Sequence, residues 1–437
     1  MQIALLYERR WLWVRLPLLL LATLVIALIW QVLYPIAPAH LRMSTGAAQG
    51  VYAAYGDQYV QKFAEYGVTV ELQGSAGSVE NLERLAAGTT DLALVQGGSR
   101  LPLQPNNAPR HIGVQTLANI DTEPVWIFTR MRELDSLAQL QSLRVSLGLQ
   151  GSGSRVVARK LLEVARLQEK DLVLSEVSGM AAASALRNGT LDAAIFVSAA
   201  ESPVVNAMLS TPGVHLVALK RTAAIGERIP SLEPRLLAQG MLDPSGKHPA
   251  QDISMLVSTA SLITRESLHP ALKRIATAIA IDLHGRGSTF HKPGDFPSLR
   301  QLEYPASPEA RTTLLRGLPW LDRTFGYWWG QFVWRLLLIV LPVVLAAAWL
   351  ARLLPAYLHW LLESRVNRWY GELKYIEHDL AQDAISGLDV SKYHGRLARM
   401  EAAMAQFATP RDLMQRFYLL HQHIAFVRQQ LYRLRGR

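Results

Sequence analysis

The chain has 437 residues, no cysteine and a formal net charge of +10. The lack of cysteine excludes disulfide bridges, thiol nucleophiles and thiolate metal sites. Residues 16–334 hold 28 basic and 26 acidic side chains, so the excess positive charge lies near the two ends of the chain, and it does not indicate a nucleic-acid-binding protein.

The first predicted element is the uncharged apolar segment from Leu16 to Tyr34, which follows three arginines. As a helix its nineteen residues cover roughly 28 Å, close to the ~30 Å hydrocarbon core of a bilayer. We therefore expect residues 1–35 to form a cytoplasmic N-terminus and a first transmembrane helix. Ala37 and Ala39 give the small-x-small form of a cleavage site, so a removed signal peptide is the alternative. Both interpretations place the following residues outside the cytoplasm.

Glycine- and serine-rich loops follow several predicted strands of this exported region. Residues 40–95 alternate in the order β-α-β-α-β, which is typical of a doubly wound α/β domain. The loops Gly46–Gly50 and Gly74–Ser78 each precede a helix, and a third loop, Gly148–Ser154, precedes the helix predicted from Arg155. Amide groups at a helix start are unpaired and the helix dipole is positive there, so these loops favour an anionic ligand.

These three loops are predicted to form one ligand site. Their glycines allow close approach of the backbone, their hydroxyls add donors, and Arg155 is expected to hold a carboxylate. For any single loop the alternative is an ordinary serine N-cap and glycine turn, and the recurrence at three strand ends is what favours a site. The predicted ligand-binding residues are Ser44, Thr45, Gly46, Gly50, Val51, Tyr52, Ser75, Ala76, Gly77, Ser78, Gln96, Ser152, Gly153, Ser154 and Arg155.

A sequence repeat indicates that the exported region has two similar lobes. Residues 85–95 and 186–197 share the pattern Leu-x-x-Gly-Thr-x-Asp-x-Ala, followed by an apolar run. Each copy predicts a helix that ends in a left-handed glycine, Gly88 or Gly189, and then a buried strand. Chance similarity between two α/β units is the alternative.

The lobe boundaries are expected near two crossings of the chain. The first lobe is predicted at about 40–122 and 222–325, and the second lobe at about 124–220. Two strands, 111–116 and 125–129, are expected on either side of a crossing at 121–124.

A second predicted transmembrane helix occupies residues 331–355. It contains Arg335, expected to extend towards the membrane surface, and Pro342, expected to kink the helix; a buried core helix is the alternative. Residues 352–437 carry thirteen basic and eight acidic side chains, so the positive-inside rule predicts that both termini are cytoplasmic.

The tail, residues 356–437, is predicted to form a helical hairpin or bundle. Three apolar stripes repeat at spacings of three and four residues, which is typical of packed helices. A self-contained bundle and a surface for homodimerisation or partner docking stay open. The stripes are Val366, Tyr370, Leu373, Ile376 and Leu380; Tyr393, Leu397, Met400, Met404 and Phe407; Leu413, Phe417, Leu420, Ile424, Val427, Leu431 and Leu434.

No motif for catalysis or for a cofactor is present in the sequence. The Gly151–Ser154 loop lacks the Gly-x-Ser-x-Gly spacing of a hydrolase, and the lysine of a phosphate-binding P-loop is absent after all three loops. The twelve histidines are dispersed, without the His-Glu-x-x-His pattern of a zinc site. We therefore expect a protein that is not an enzyme and that has neither catalytic residues, a metal nor a cofactor.

The chain resembles the TAXI solute-binding proteins of TRAP transporters over about residues 41–325. The residues that carry the resemblance are Ser44–Gly46, Gly50–Tyr52, Gly77–Leu82, Gly88, Asp91, Gly151–Ser154, Gly189–Phe196 and Asp295–Leu299. The resemblance implies a two-lobed type II periplasmic-binding-protein fold and capture of small carboxylates or amino acids in the periplasm. The loop at residues 46–50 has fewer glycines than is usual in the family, and the two flanking spans resemble a membrane-anchored subgroup.

Together these observations predict an α/β binding domain at residues 36–330, flanked by two transmembrane helices and followed by a cytoplasmic helical tail. The expected ligand is a small organic anion, and the expected partners are the membrane of the bacterial cell and TRAP-type permease subunits. The alternative is a sensing or scaffold receptor that signals through the second transmembrane helix to the tail.

Overall fold

The computed structural model describes residue 17 and residues 19–32, 37–48, 50–100, 113–243, 248–386, 390–405 and 414–435. Its contacts divide the chain into two units, Pro35–Trp334 and the two flanking segments, Met1–Tyr34 with Arg335–Arg437.

The elements of the described residues are these. The strands are β1 (His40–Ser44), β2 (Thr69–Gln73), β3 (Leu92–Gln96), β4 (Val114–Thr129), β5 (Arg144–Ser146), β6 (Val173–Leu174), β7 (Ala193–Val197), β8 (His215–Leu216), β9 (Glu233–Leu237) and β10 (Ile253–Arg265). The helices are α1 (Leu19–Val32), α2 (Val51–Glu65), α3 (Ser78–Ala87), α4 (Gly153–Val164), α5 (Gly179–Arg187), α6 (Pro203–Leu209), α7 (Thr222–Arg228), α8 (Pro270–His284), α9 (Pro308–Arg316), α10 (Trp320–Arg335), α11 (Leu341–Ser386), α12 (Val390–Ala405) and α13 (Met414–Arg435).

The unit at residues 35–334 is a two-lobed α/β structure on a mixed sheet. The strand order is β2-β1-β3-β10-β4-β7-β5-β6, in which β1, β2 and β3 are parallel, as are β5, β6 and β7. The long strands β4 and β10 run antiparallel to each other through both lobes. One hydrophobic core contains Leu41, Leu117 and Leu262, and further cores contain Ile127, Val145 and Trp126 of the second lobe. The two long strands therefore form the connection between the lobes.

The sequence repeat has a structural counterpart in each lobe. Both glycines that were predicted to end a helix are left-handed, with φ of 72° at Gly88 and 73° at Gly189. In the first lobe Asp91 accepts hydrogen bonds from the backbone and the guanidinium of Arg42 on β1. In the second lobe Asp192 accepts the same two bonds from Arg144 on β5. The Gly-Thr-x-Asp units thus fix equivalent pairs of parallel strands, β1 with β3 and β5 with β7.

Two expectations about the crossings differ from the structure. The strands expected at 111–116 and 125–129 are one continuous strand, β4, because the residues between them pair with β10 up to Pro124; residues 111–112 lie outside the described chain. The segment from Thr222 to Val257 was expected in the first lobe. It packs in the second, since Ile225, Leu232 and Met255 belong to the second lobe's cores. The return crossing therefore lies within β10.

The other unit contains apolar helices and a helical bundle. The helical segment Trp320–Leu353 is long and apolar enough to cross a membrane; its residues up to Trp334 belong to the first unit, and Gly326 has a non-helical backbone. Leu19–Val32 is a shorter apolar helix whose flanking residues lie outside the described chain. Before Pro342, residues Leu336–Val340 adopt π-helical hydrogen bonding, which accommodates the missing proline N–H. Arg335 is 7% exposed, and its guanidinium lies 5.4 Å from the ring centre of Trp30.

The three stripes predicted for the tail form one hydrophobic core. Residues from α11, α12 and α13 alternate at the predicted spacing, and Leu373, Leu397 and Ile424 are all at most 1% exposed. In the described part of the tail, α11, α12 and α13 pack together through these residues. Phe407 and Leu413 lie outside the described residues, as does the side chain of Leu434.

Candidate functional site

A cleft of about 460 Å³ lies between the two lobes and is lined by residues from both. The N-terminal ends of four helices open into it: α2 and α3 from the first lobe, and α4 and α5 from the second. The first turn of each helix has N–H groups that lack partners within the helix. Backbone donors and four positive dipole ends therefore face one space.

The loop before α2 approaches the cleft through its backbone. Gly50 occupies the N-cap position, so no side chain caps this helix start. Gly46, Gly50 and Val51 line the cleft, and Tyr52 projects from the first turn of α2. The Tyr52 hydroxyl donates a 2.9 Å hydrogen bond to Oε2 of Glu123.

The loop before α3 is held in place by a buried asparagine. Asn81 donates through Nδ2 to the carbonyl oxygens of Thr45, at 2.5 Å, and Leu94, at 2.8 Å. Its Oδ1 accepts a 2.7 Å bond from the hydroxyl of Ser75. Asn81 thereby ties β1, β3 and the second loop together, and it orients the start of α3 towards the cleft.

The second lobe contributes the starts of α4 and α5. Ser152 caps α4 by accepting a 3.2 Å hydrogen bond from the backbone N–H of Arg155. Ser178 is the N-cap of α5, but its side chain makes no capping bond. Gly153, Gly179 and the neighbouring residues Ser154 and Met180 line the cleft. Their amide groups therefore extend the donor surface into the second lobe.

The two lobes touch at the rim of the cleft. The amide N–H of Val79 donates a 3.2 Å hydrogen bond to the carbonyl of Gly151. A Cβ atom at Gly153 would lie 2.8 Å from Oγ of Ser99 and 2.9 Å from Oγ of Ser78, so only glycine fits there without displacement. Lys160 on α4 donates a 2.6 Å hydrogen bond to the carbonyl of Gly98. These contacts hold the lobes in a closed arrangement.

Glu123 is the one charged side chain among the described residues that line the cleft. It lies on β4, where the strand crosses between the lobes, and it is 2% exposed. Burial raises the pKa of Glu123 to about 8, because it penalises the charged form; the Tyr52 hydroxyl opposes this rise, and the charge of Asp121 adds to it. Nearby, Asp121 accepts hydrogen bonds from Tyr55, at 2.7 Å, and is 3.1 Å from Nε2 of His291.

Gln96 supplies a buried polar side-chain group without a partner among the described residues. It is the last residue of β3 and is 4% exposed, and its backbone N–H donates a 2.9 Å bond to Oγ of Ser78. Its side-chain nitrogen is buried and has no hydrogen-bond partner among the described residues. Burying an unpaired donor of this kind costs free energy unless a ligand accepts its hydrogen bond.

Most of the residues predicted for the site lie in the cleft, and four do not. Ser44 is buried and its hydroxyl accepts a 3.4 Å bond from Arg84, while Thr45 and Ser75 support the loops through Asn81. The residues that line the cleft are Gly46, Gly50, Val51, Tyr52, Ala76, Gly77, Ser78, Gln96, Ser152, Gly153 and Ser154.

The expected role of Arg155 as a carboxylate clamp does not agree with the structure. Its guanidinium binds Glu169 at 3.0 Å and Glu176 at 2.9 Å, and this raises its pKa. Arg155 does not line the cleft, and its side chain is held by these two acids instead. The two carboxylates already neutralise this cation.

Several residues of the site were not predicted from the sequence. The repeat could have found the fourth helix start, because α5 corresponds to α3 as Gly189 corresponds to Gly88. Glu123 stood in the segment predicted as a crossing, where an acidic residue between apolar strands was the available signal. The other lining residues that were not predicted are Ala47, Ala48, Gly148, Leu149, Ser178, Gly179, Met180, Ala181, Phe196, Val197, Ser198, Ser202 and Val204.

A larger recess of about 1110 Å³ also exists in this unit, but the helix starts do not form it. Exposed charged residues such as Arg228 and Arg300 line it, and residues 101–112, next to its wall residue Arg100, lie outside the described chain. The donor-lined cleft is therefore the candidate site.

A family model described as the NMT1-like family matches residues 43–272, which is more than half of the chain. The chain belongs to the NMT1-like family. The matched segment includes all four helix starts of the cleft, both copies of the repeat and most of the connection between the lobes. This family assignment does not distinguish the TAXI group, so that finer resemblance stays a prediction.

Solved structures similar to this NMT1-like chain share little sequence with it. The periplasmic aliphatic sulphonate binding protein from Escherichia coli is 16% identical, with a TM-score of 0.35, over 57% of this chain and 74% of that one. The regulatory domain of CcmR from Synechocystis is 10% identical, with a TM-score of 0.37, over 56% of this chain and 97% of that one. The GluR0 ligand binding core in complex with L-glutamate is 11% identical, with a TM-score of 0.34, over 57% and 92%.

Proposed function

We propose that this protein is a membrane-anchored periplasmic receptor that captures a small organic solute with a carboxylate or similar anionic group. The observation that carries the proposal is the convergence of four helix starts from two lobes on one cleft. Helix starts bind anions through unpaired N–H groups and the helix dipole. The family membership supports a binding role rather than a catalytic one.

The proposed arrangement in the membrane follows the charge distribution. The binding domain, about residues 36–330, lies in the periplasm, and residues 1–35 and 331–355 each include a transmembrane helix. Both termini are cytoplasmic under the positive-inside rule. Arg335 beside Trp30 supports a pairing of the two apolar helices within their unit.

As a TAXI-like protein, the receptor would deliver its solute to TRAP-type permease subunits. Two apolar helices do not supply the multi-helix path that a secondary transporter needs, so the transport step requires such a partner. A homodimer through the tail is compatible with this role.

The experiment that tests capture uses the full chain, purified in detergent. Native mass spectrometry identifies any small molecule that copurifies, and thermal melts in a panel of carboxylates, sulfonates and amino acids test binding. A ligand at 100 times its dissociation constant stabilises the folded state by ~2.7 kcal/mol, which raises the melting temperature by several degrees. If no compound copurifies and none in the panel shifts the melt, the proposal is wrong.

One observation favours a second candidate, a sensing receptor. Helix α11 continues for 46 residues from the apolar segment into the core of the tail bundle, which gives a rigid connection along one helix. Deleting residues 356–437 separates the two candidates. Solute uptake that survives the deletion supports transport, whereas intact binding with loss of a cytoplasmic response supports sensing.

A further inference from the structure

We propose that Glu123 binds a cationic amino group of the solute, so that the ligand is a zwitterion whose anionic group occupies the helix starts. This inference rests on the proposed function and names the chemical class of the ligand. It excludes dicarboxylates and other solutes that carry negative charge alone.

The geometry of Glu123 leaves acceptor capacity towards the cleft. A carboxylate has about four acceptor positions, but Glu123 receives one hydrogen bond among the described residues, from Tyr52. The neighbouring acid, Asp121, is fully engaged by Tyr55, the amide N–H of Thr122 and His291. Glu123 is thus the one acid here that both lines the cleft and lacks partners for its second oxygen.

No cationic side chain lies in the described cleft lining, so no side chain there stabilises the ionised form of Glu123. Arg155, the cation that the sequence placed there, is paired with Glu169 and Glu176 instead. A glutamine would form the same hydrogen bond with Tyr52 without the cost of a buried carboxylate. A cationic group on the ligand offsets this cost, and the helix starts of the same cleft bind the anionic group.

The remaining wall of the cleft is apolar. Leu149, Met180, Phe196 and Val204 line it on the second-lobe side. These residues suit an aliphatic or aromatic substituent. The leucine and phenylalanine sets of probes therefore carry such substituents.

The experiment is calorimetric titration of the full chain in detergent with matched sets of probes. Each set contains a zwitterion, the anion without its amino group and the amine without its acid group. The sets are L-leucine, 4-methylpentanoate and 3-methylbutylamine; L-phenylalanine, 3-phenylpropanoate and 2-phenylethylamine; taurine, ethanesulfonate and ethylamine.

We expect at least one zwitterion to bind about 100-fold or more tightly than its anion, as a buried charge pair with hydrogen bonds can provide. Glu123→Gln reduces this ratio below about tenfold, because the amide cannot neutralise an ammonium group. The matched control is Glu83→Gln, the same substitution at an exposed acid of α3 outside the cleft, which keeps the ratio. Circular dichroism and thermal melts establish that both variants fold.

The outcomes separate this inference from the proposed function. If an anion binds as tightly as its zwitterion, or if Glu123→Gln keeps the ratio, the inference is overturned and anion capture stands. If no probe of any set binds and no solute copurifies, the proposed function itself fails.

Proton release gives a second readout of the same contact. The groups that face Glu123 are Tyr52 and Tyr55 on α2 and Asp121 on β4, and burial raises the pKa of both tyrosines, which stay neutral. With its pKa near 8, Glu123 is largely protonated at pH 7, and an ammonium group displaces that proton. Zwitterion binding then releases roughly 0.9 proton at pH 7, and affinity rises about tenfold per pH unit from 6 towards 8. Proton uptake or a flat pH profile contradicts the inference.

Discussion

The two repeats of the binding domain share one framework but differ in how deeply it is buried. In the first lobe Asp91 is 6% exposed and binds both Arg42, at 3.3 Å, and Arg265, at 2.6 Å. In the second lobe Asp192 binds Arg144 at 2.6 Å, and the Asp192 side chain is 25% exposed, against 8% for the Asp91 side chain. The same Gly-Thr-x-Asp motif therefore fixes the same turn twice, but burial decides how much stability depends on it.

The repeats also differ at the cleft itself. Counting from Arg42 and Arg144, the first helical residue Val51 of α2 corresponds to Gly153 of α4. Val51 carries a side chain, whereas a Cβ atom at Gly153 would lie within 3.0 Å of Ser78 and Ser99 of the first lobe. Between the repeats, on β4, lies Glu123. The repeated parts build the framework, and the positions at which the repeats differ determine closure and ligand preference.

The largest expected effect contrasts the two aspartates. Asp91→Ala leaves two arginines and a buried backbone N–H without their acceptor, so we expect the free energy of unfolding to fall by about 3–5 kcal/mol. Asp192→Ala breaks a more exposed pair and should cost about 1 kcal/mol. Chemical denaturation followed by tryptophan fluorescence measures both variants. Equal losses would show that burial does not distinguish the two repeats.

The next effect concerns Glu123, which lies outside both repeats. Its folded-state pKa of about 8 lies above the ordinary 4.5, so the protonated form stabilises the fold. This stabilisation is fully present below pH 4.5, the pKa of the glutamate in the unfolded chain, and it is lost as the pH rises to 8. From pH 6 to 8 the ligand-free protein should lose about 2 kcal/mol relative to Glu123→Gln. Denaturation series at both pH values check this, and parallel curves for the two proteins would contradict it.

A smaller effect distinguishes the two helix starts that correspond in the repeats. Gly153→Ala places a Cβ atom under 3.0 Å from Ser78 and Ser99, so it should cost about 1–2 kcal/mol and weaken ligand binding by pushing the lobes apart. Val51→Ala, the matched control in the first lobe, should cost less than about 1 kcal/mol. Small-angle scattering measures whether the lobes move apart. If Gly153→Ala leaves both the scattering and the ligand affinity unchanged, the contact of Gly153 with Ser78 and Ser99 does not hold the lobes together.

The smallest effect tests the arginine that the sequence placed in the site. Arg155→Ala makes α4 resemble α2, which has Ala53 at the corresponding position. The variant should lose about 1 kcal/mol of stability because it lacks the bonds to Glu169 and Glu176. Its ligand affinity should change by less than about threefold. Calorimetry with a bound probe measures the affinity. A tenfold loss of ligand affinity would show that Arg155 contributes to binding.

The sequence predicted the parts of the fold that local patterns determine. The helices that begin near Val51 and Ser78, the left-handed Gly88 and Gly189 and the stripes of the tail follow from periodicity and turn chemistry. The continuity of β4 through Pro124 was missed, because its pairing partner β10 lies more than a hundred residues away. Contacts of this kind are set by tertiary packing rather than by local preference.

The site was predictable in its loops but not in its charges. Glycine and serine loops at strand ends mark helix starts, and the structure brings these helix starts together in one cleft. The partners of Arg155, however, are acids on a different segment. Glu123 keeps a free acceptor position because Tyr55 and His291 bind Asp121 instead of Glu123. Such pairings follow from three-dimensional neighbours that spacing along the chain does not reveal.

The most direct test is an experimental structure of the full chain with its copurified solute or with the tightest-binding probe. The account predicts that the anionic group of the solute lies ~2.7–3.2 Å from amide nitrogens at helix starts of both lobes, with its amino group against Glu123. A solute that contacts one lobe only, or that binds outside this cleft, would contradict it.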